Sequence, residues 1–487
     1  MHGFSATGYW ESRLVFERAL AAIYCIAFLV ARNQFRALLG SRGILPIPDF
    51  VARVPFERAP SIFHWRYSDA GFETVSIAGM LASAAVLVGV VDRAPLWTAM
   101  LVWLALWALY LSIVNVGQTW YGFGWETLLL ETGFLAIFLG PAHSAPPTIG
   151  LWLIRWLLFR VEFGAGLIKI RGDRCWRDFT CLRYHHETQP MPNALSWYFH
   201  HLPDRLHKVE VIANHGAQLV LPWLLFTPQP VAGAAALAII VTQLWLVGSG
   251  NFSWLNFITI TLAVSAVGDG LLHRAIPITP LHTASPAGWF EIVVFALLAL
   301  IALKSWRPAR NLASRRQLMN ASFDPWHLVN TYGAFGSITR VRHEIVLEGT
   351  RDAELTATAT WTAYEFKGKP GDPMRRPPQI APYHLRLDWM MWFAALSPRV
   401  PPWLTGFVAK LLTGDRDARR LLRTDPFADA PPRFVRARLY RYAFTTPAER
   451  RQTGAWWTRT LVGEYLDPVG LPRAAGSSEG DLRPGPE

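Results

Sequence analysis

The sequence predicts a polytopic α-helical membrane bundle of about nine spans, followed by a soluble α+β, strand-rich C-terminal domain. Three observations carry this reading. Of 487 residues, 52% are hydrophobic and 17% are charged, against about 25% charge in an ordinary soluble domain. The apolar residues collect in runs close to the length of about 20 residues that a bilayer-crossing helix needs. The third is size: a single soluble core stops growing beyond roughly 250–300 residues.

The runs lie near Ala19–Ala31, Val75–Val91, Ala94–Val114, Trp125–Leu139 and Ile149–Ile168. Four more lie near Val209–Phe226, Val231–Val247, Phe252–Val267 and Trp289–Leu303. The stretch before Ala19 carries both charge signs and no small-residue cleavage site follows Val30, so the first run is expected to be a retained anchor.

The composition changes at Lys304. Residues 304–487 hold 28 Lys/Arg and 18 Asp/Glu, so +10 of the formal +12 sits there. Residues 1–303 are therefore assigned to the bundle, 304–471 to the soluble domain and 472–487 to a disordered tail. Alternation over 354–361 and 438–442 predicts strands. Trp403–Leu412 and Asp415–Leu422 are expected as short helices. The basic charge is scattered among acids, with no Gly-rich phosphate loop and no zinc-ligand spacing, which argues against nucleic acid. No cofactor and no metal is expected.

The fifth run carries Arg155, Arg160 and Glu162 and leads into Lys169. Each ionisable group in lipid costs on the order of 2.5–3.5 kcal/mol on insertion scales. They persist when paired or when they line a wet cavity. Arg160 has Glu126 and Glu131 of the preceding run as possible partners. Arg155, Glu162 and Lys169 recur every seven residues, one face of a helix, and are expected to form a polar stripe facing the bundle interior. The segment that follows, 169–193, is too polar for lipid. His185, His186, His200, His201, His207 and His215 crowd in and after it, in no common ligand spacing, and are expected at the membrane interface.

Several words in this region resemble the lipase maturation factor family. Phe163–Asp178 is one, containing Gly166, Arg171, Gly172, Asp173 and Trp176. His186–Asn193 is another, with Pro190, Pro192 and Asn193. Ser249–Asn256 with Asn251, and Val329–Thr339 with Asn330 and Tyr332, continue the series. In the soluble part, Tyr364–Asp372 and Ile380–Ala395, with Tyr383, Arg386, Asp388 and Trp389, belong to the same set. The resemblance runs in order from about Trp125 to Leu466. It implies a multi-pass membrane protein that helps secreted clients such as lipases to fold and assemble, with the C-terminal domain exoplasmic and facing the client. It also implies the endoplasmic reticulum membrane, or a bacterial inner membrane if the Ala/Arg bias reflects a bacterial source. The chain ends Arg-Pro-Gly-Pro-Glu, without a retention signal.

A shorter likeness supplies an enzymatic alternative. Ala165-Gly-Leu-Ile-Lys169 is similar to a stretch in the membrane domain of the vitamin K-dependent carboxylase. That likeness implies an integral membrane enzyme acting on a quinone or lipid, with Lys169 as general base beside Glu162. An oxidising compartment, which the family role implies, would favour a disulfide between Cys175 and Cys181. Trp389, Trp392 and Phe393, with Trp456 and Trp457, are weighed either as domain core or as one exposed client-binding face.

Overall fold

The computed structural model describes residues 4–278 and 287–471. The expected disordered tail, 472–487, lies outside the described residues.

The bundle is built around α1 (Trp10–Leu38), twice as long as the first apolar run suggested. It continues past Ala31 because Gln34, Phe35 and Leu38 are buried inside the protein and need no lipid. Packed near it are α2 (Asp69–Leu87), α3 (Leu96–Val116) and α4 (Gly124–Ala136). Ser68 caps α2 by accepting the N–H of Gly71 at 3.0 Å. The Tyr24 ring meets Trp103 and Tyr110 edge-on, and its hydroxyl donates to the Leu129 carbonyl at 3.1 Å. One aromatic cluster thus joins α1 to α3 and α4.

Next come α5 (Thr148–Arg171), the short α6 (Leu182–Thr188), α7 (Asp204–His215), α8 (Val231–Ser249), α9 (Leu255–Val264) and α10 (Gly288–Ala313). Among the described residues, five helices are long and apolar enough to cross a membrane: Thr7–Leu38, Asp69–Leu87, Leu96–Val116, Val231–Ser249 and Gly288–Ala313. The expected count of nine is not met by this measure, for physical reasons. At 1.5 Å per residue, the 13-residue α4 and the 10-residue α9 reach only about 20 Å and 15 Å, short of a core about 30 Å thick. α5 is long enough but heavily charged. The 209–226 run is divided by a π-helical turn at Gly216–Val220. Most of α4 and α5 is buried in protein, which is where interrupted or charged segments are tolerated.

α10 continues past Lys304 to Ala313, and the strand-bearing C-terminal region follows it. Its main sheet has the order β2-β1-β5-β6, all antiparallel, with β1 Arg342–Thr350, β2 Thr362–Ala363, β5 Phe434–Phe444 and β6 Trp457–Gly470. A two-stranded sheet pairs β3 (Glu365–Phe366) with β4 (Leu422–Thr424). Helices α11 (Arg386–Ala395) and α12 (Pro402–Leu412) pack beside these sheets. The strand expected at 438–442 lies inside β5. The one expected at 354–361 is turn and irregular chain, exposed along most of its length, since neither side of the Thr-rich alternation has anything to bury against. Asp415–Leu422 holds only one helical turn, Arg416–Arg419, before β4 begins.

Candidate functional site

The polar words singled out in the sequence converge on the seam where the C-terminal region meets the bundle. Three buried charge clusters form the joint, and a fourth lies within the bundle beside it.

The first lies between α4, α5 and the segment after α10. Arg160 pairs with Glu131, with side-chain exposures of 2% and 1%. The same Glu131 accepts the backbone N–H of Asn330 at 3.0 Å, its side-chain amide at 3.0 Å and the Tyr332 hydroxyl at 2.7 Å. Arg160 also donates to the Asn330 carbonyl at 2.7 Å. Of the two partners considered for Arg160, Glu131 is the one used. Such saturation is what a carboxylate–guanidinium pair needs away from water.

The second uses the other carboxylate. Glu126, at the start of α4, accepts from Arg386 at 2.8 Å and from the Tyr110 hydroxyl. Arg386 donates further to the Trp120 carbonyl at 2.7 Å and lies over the Tyr121 ring. Its backbone N–H reaches Gln34 of α1 at 3.1 Å. Nearby, Tyr383 accepts from Asn33 at 3.3 Å. Asp388 caps the 368–369 turn through the N–H groups of Gly368 (2.6 Å) and Lys369 (3.1 Å). Burial pushes the Asp388 carboxyl above its usual range, against the pull of those two donors.

The third joins β1 to the 182–193 segment. Arg342 pairs with Glu344 and donates to the carbonyls of Gln189 (2.5 Å), Glu187 (2.9 Å) and Pro190 (3.2 Å). Lys369 reaches the other Glu344 oxygen at 2.9 Å. Asn251 is a four-way connector. It donates to Pro192 and Pro378 and accepts from the N–H groups of Ile380 and Ala381. Asn193 similarly donates to Val247, Gly248 and Gln379.

The fourth is the stripe on α5. Arg155, Glu162 and Lys169 are all buried, as a stripe facing the interior requires. Glu162 and Lys169 are not in direct contact. Gln243 donates to Glu162 at 2.6 Å, and Lys169 donates to Gln218 at 2.7 Å. The Lys169 ammonium also lies 5.1 Å above the Trp176 ring. A lysine so engaged has little freedom to collect a substrate proton. Buried glutamines in apolar runs were a readable signal of this network, and sequence reasoning missed them.

The end of α5 makes the tightest approach to the C-terminal region. A Cβ on Gly172 would run into the Gly336 carbonyl, and one on Gly166 would sit 2.7 Å from a Leu219 methyl. Only glycine fits without displacement. Asp173 accepts from Cys175 N–H (3.0 Å), Ile338 N–H (3.3 Å) and Arg340 (2.8 Å). The Arg340 guanidinium holds its carboxyl below the usual range; burial opposes this and the two backbone N–H groups add to it. Trp176 donates to the Phe335 carbonyl, and Arg171 to the Leu312 carbonyl and to Gln317. Cys175 and Cys181 form a disulfide, Cα atoms 4.8 Å apart. Alkylation of unreduced protein should therefore label Cys25 alone. Closing this small loop is expected to contribute about 2 kcal/mol. Labelling of Cys175 or Cys181 before reduction would mean the bridge is absent in the isolated protein.

Among the histidines, His185 is buried against Phe252 and Phe335, and His186 and His207 are buried where α6 packs on α7. Of the two readings weighed for the aromatics, domain core is the one that forms. Trp389 packs on Trp125 with ring centres 4.9 Å apart, Trp457 stacks on Phe444 at 4.0 Å, and Arg450 covers Trp456. Of the group, Phe393 is the exposed one, at 43%.

Fold and site together define a membrane-embedded helical protein whose strand-bearing C-terminal region is welded to its bundle by buried ion pairs and amide bridges. Comparison with known proteins gives the family. The lipase maturation factor transmembrane domain matches residues 11–274, and the lipase maturation factor C-terminal domain matches residues 328–467. Lipase maturation factor 1 of Homo sapiens is 41% identical, covering 95% of this chain and 88% of that protein. The Mus musculus counterpart is also 41% identical, with the same coverage. Lipase maturation factor 2 of Rattus norvegicus is 30% identical over 94% of this chain and 83% of its own length. The chain belongs to the lipase maturation factor family. No solved structure matches it.

Proposed function

We propose that this protein is a membrane-embedded maturation factor that assists the folding and assembly of secreted, lipase-like clients. Its C-terminal region faces the exoplasmic side and engages the client. The reading rests on similarity along nearly the whole chain to proteins named for lipase maturation. The single structural observation that supports it is the joint itself. Three buried clusters, around Arg160, Arg386 and Arg342, hold the C-terminal region against the bundle, as a rigid presenting platform requires. One of the two outer strands, β6, offers a sheet edge, with Leu461 and Val462 exposed, to which an extended client segment could pair. The quinone- or lipid-modifying alternative is not favoured, because Lys169 is already committed to Gln218 and Trp176.

The decisive experiment is expression of a secreted lipase in cells deprived of their own maturation factor, with and without this chain. Secreted activity per unit of lipase antigen should rise with it. Equal specific activity would remove the reading for that client. Orientation has its own test: alkaline phosphatase fused after Leu471 should be active. A silent phosphatase with an active cytoplasmic reporter at the same point would overturn the exoplasmic placement, against which Lys304, Arg307, Arg310, Arg315 and Arg316 stand as a positive flank.

A further inference from the structure

The contact between α6 and α7 gathers three metal-ligating side chains: His186 of α6, and His207 and Glu210, one turn apart on α7. One ligand atom from each lies within 4.8 Å of the other two. Glu210 Oε2 is 3.1 Å from His207 Nδ1 and 3.8 Å from His186 Nε2. Ligands on a tetrahedral zinc ion, with bonds of about 2.0–2.1 Å, stand roughly 3.3 Å apart. The cluster is therefore close to chelating size.

The remaining polar atoms are arranged as a metal site needs. His207 Nε2 lies 3.3 Å from the His200 carbonyl. Donating its proton there leaves Nδ1 with a free lone pair turned toward Glu210. Glu210 Oε1 accepts from Trp245 Nε1 at 2.7 Å, which orients the carboxylate and leaves Oε2 for a ligand. Outer partners of this kind fix tautomer and orientation in metal sites. His186 is the independent observation. It is 2% exposed, and among the described residues neither of its ring nitrogens has a hydrogen-bond partner. An unsatisfied buried imidazole costs free energy, and an ion between His186, His207 and Glu210 would satisfy it. Phe199 covers the His186 ring at 5.5 Å and is itself met by Trp245, so the cluster sits in an apolar wall.

We propose that His186, His207 and Glu210 bind a zinc ion with two imidazoles and one carboxylate. The ion would pin α6, and with it the His186–Asn193 segment that Arg342 grips, to α7. The donor set of borderline nitrogen and hard oxygen suits Zn²⁺ and disfavours Ca²⁺ or Mg²⁺, which take oxygen ligands. A fourth position remains for water.

The test uses the full chain in detergent, purified on a histidine-free tag, stripped with a chelator and reloaded with Zn²⁺ or Co²⁺. About one zinc per chain should remain after desalting, and Co²⁺ should give the intense visible absorption of a four- or five-coordinate site. His207→Ala and Glu210→Gln should each weaken zinc binding by about 10-fold or more. Since His186→Ala could fail to fold, its test is the wild-type protein: diethylpyrocarbonate should modify His186 more slowly with zinc bound than without. Absence of retained zinc and of the cobalt spectrum in the folded wild-type chain would overturn the proposal. So would unchanged zinc content in both variants, because the metal would then sit elsewhere.

Discussion

Glu344→Ala is expected to destabilise the protein by about 3–5 kcal/mol, enough to lower the melting temperature of detergent-solubilised protein markedly. Glu344 is fully buried on β1, between Arg342 and Lys369, whose side chains are 0% and 2% exposed. Removing the carboxylate leaves two cations facing each other without compensation in a medium that screens them poorly. The carbonyls of Glu187, Gln189 and Pro190 still hold Arg342, and Lys369 keeps the Ile345 and Pro370 carbonyls and the Phe366 ring, none of which carries a negative charge. The double change Glu344→Ala with Lys369→Met should recover part of the loss, since it removes one of the opposed charges. The comparison is Glu464→Ala. Glu464 pairs with Arg438 at 2.9 Å with side-chain exposures of 38% and 27%, so about 0–1 kcal/mol is expected. If Glu344→Ala and Glu464→Ala melted alike, the buried triad would not be a source of stability.

The sequence made the chemistry of the seam legible before its geometry. Charges inside apolar runs are costly, so Arg160 and Glu131 had to have partners, and they have each other. The seven-residue recurrence of Arg155, Glu162 and Lys169 placed them on one buried face. What could not be read was the partner across the chain. Glu126 meets Arg386, which lies 260 residues away, and no local period encodes such a contact. The same limit hid the His186, His207 and Glu210 cluster: adjacent histidines diverge on one helix, and only the packing of α6 on α7 brings His186 to its neighbours. The span count failed for a different reason. Hydropathy treats every apolar run as facing lipid, whereas α4, α5 and α9 are shielded by other helices and can be short, charged or both. The aromatic run at 389–393 was ambiguous for a related reason. A half-buried helix and a binding face have the same composition, and the neighbours Phe123 and Trp125 decide which one forms.

Arg386→Ala should loosen the C-terminal region from the bundle, and the signature should be local before it is global. Arg386 is 1% exposed in its side chain and bridges the first turn of α11 to Glu126 and the Trp120 carbonyl. Without it, Glu126 keeps the Tyr110 hydroxyl but loses its buried countercharge, at a cost of about 3–5 kcal/mol. Arg386→Lys should restore the joint only in part: Nη1 alone makes both contacts, to Glu126 and the Trp120 carbonyl, but an ammonium cannot reproduce the planar guanidinium lying over Tyr121. Glu126→Gln combined with Arg386→Met removes both charges and should be milder than Arg386→Ala alone. The main sheet does not depend on this contact: β1, β5 and β6 remain paired through their own ladders. Loss of the joint should therefore be read first in the irregular segment between α10 and β1. That segment carries Arg315, Arg316 and Arg340 as trypsin sites, and it is held to the bundle by Asn330 and Tyr332. Faster tryptic cleavage there in Arg386→Ala, with the 342–470 fragment still protected, is the expected result. Cleavage and melting both at the wild-type values would show that the Glu126–Arg386 pair does not hold the two parts together.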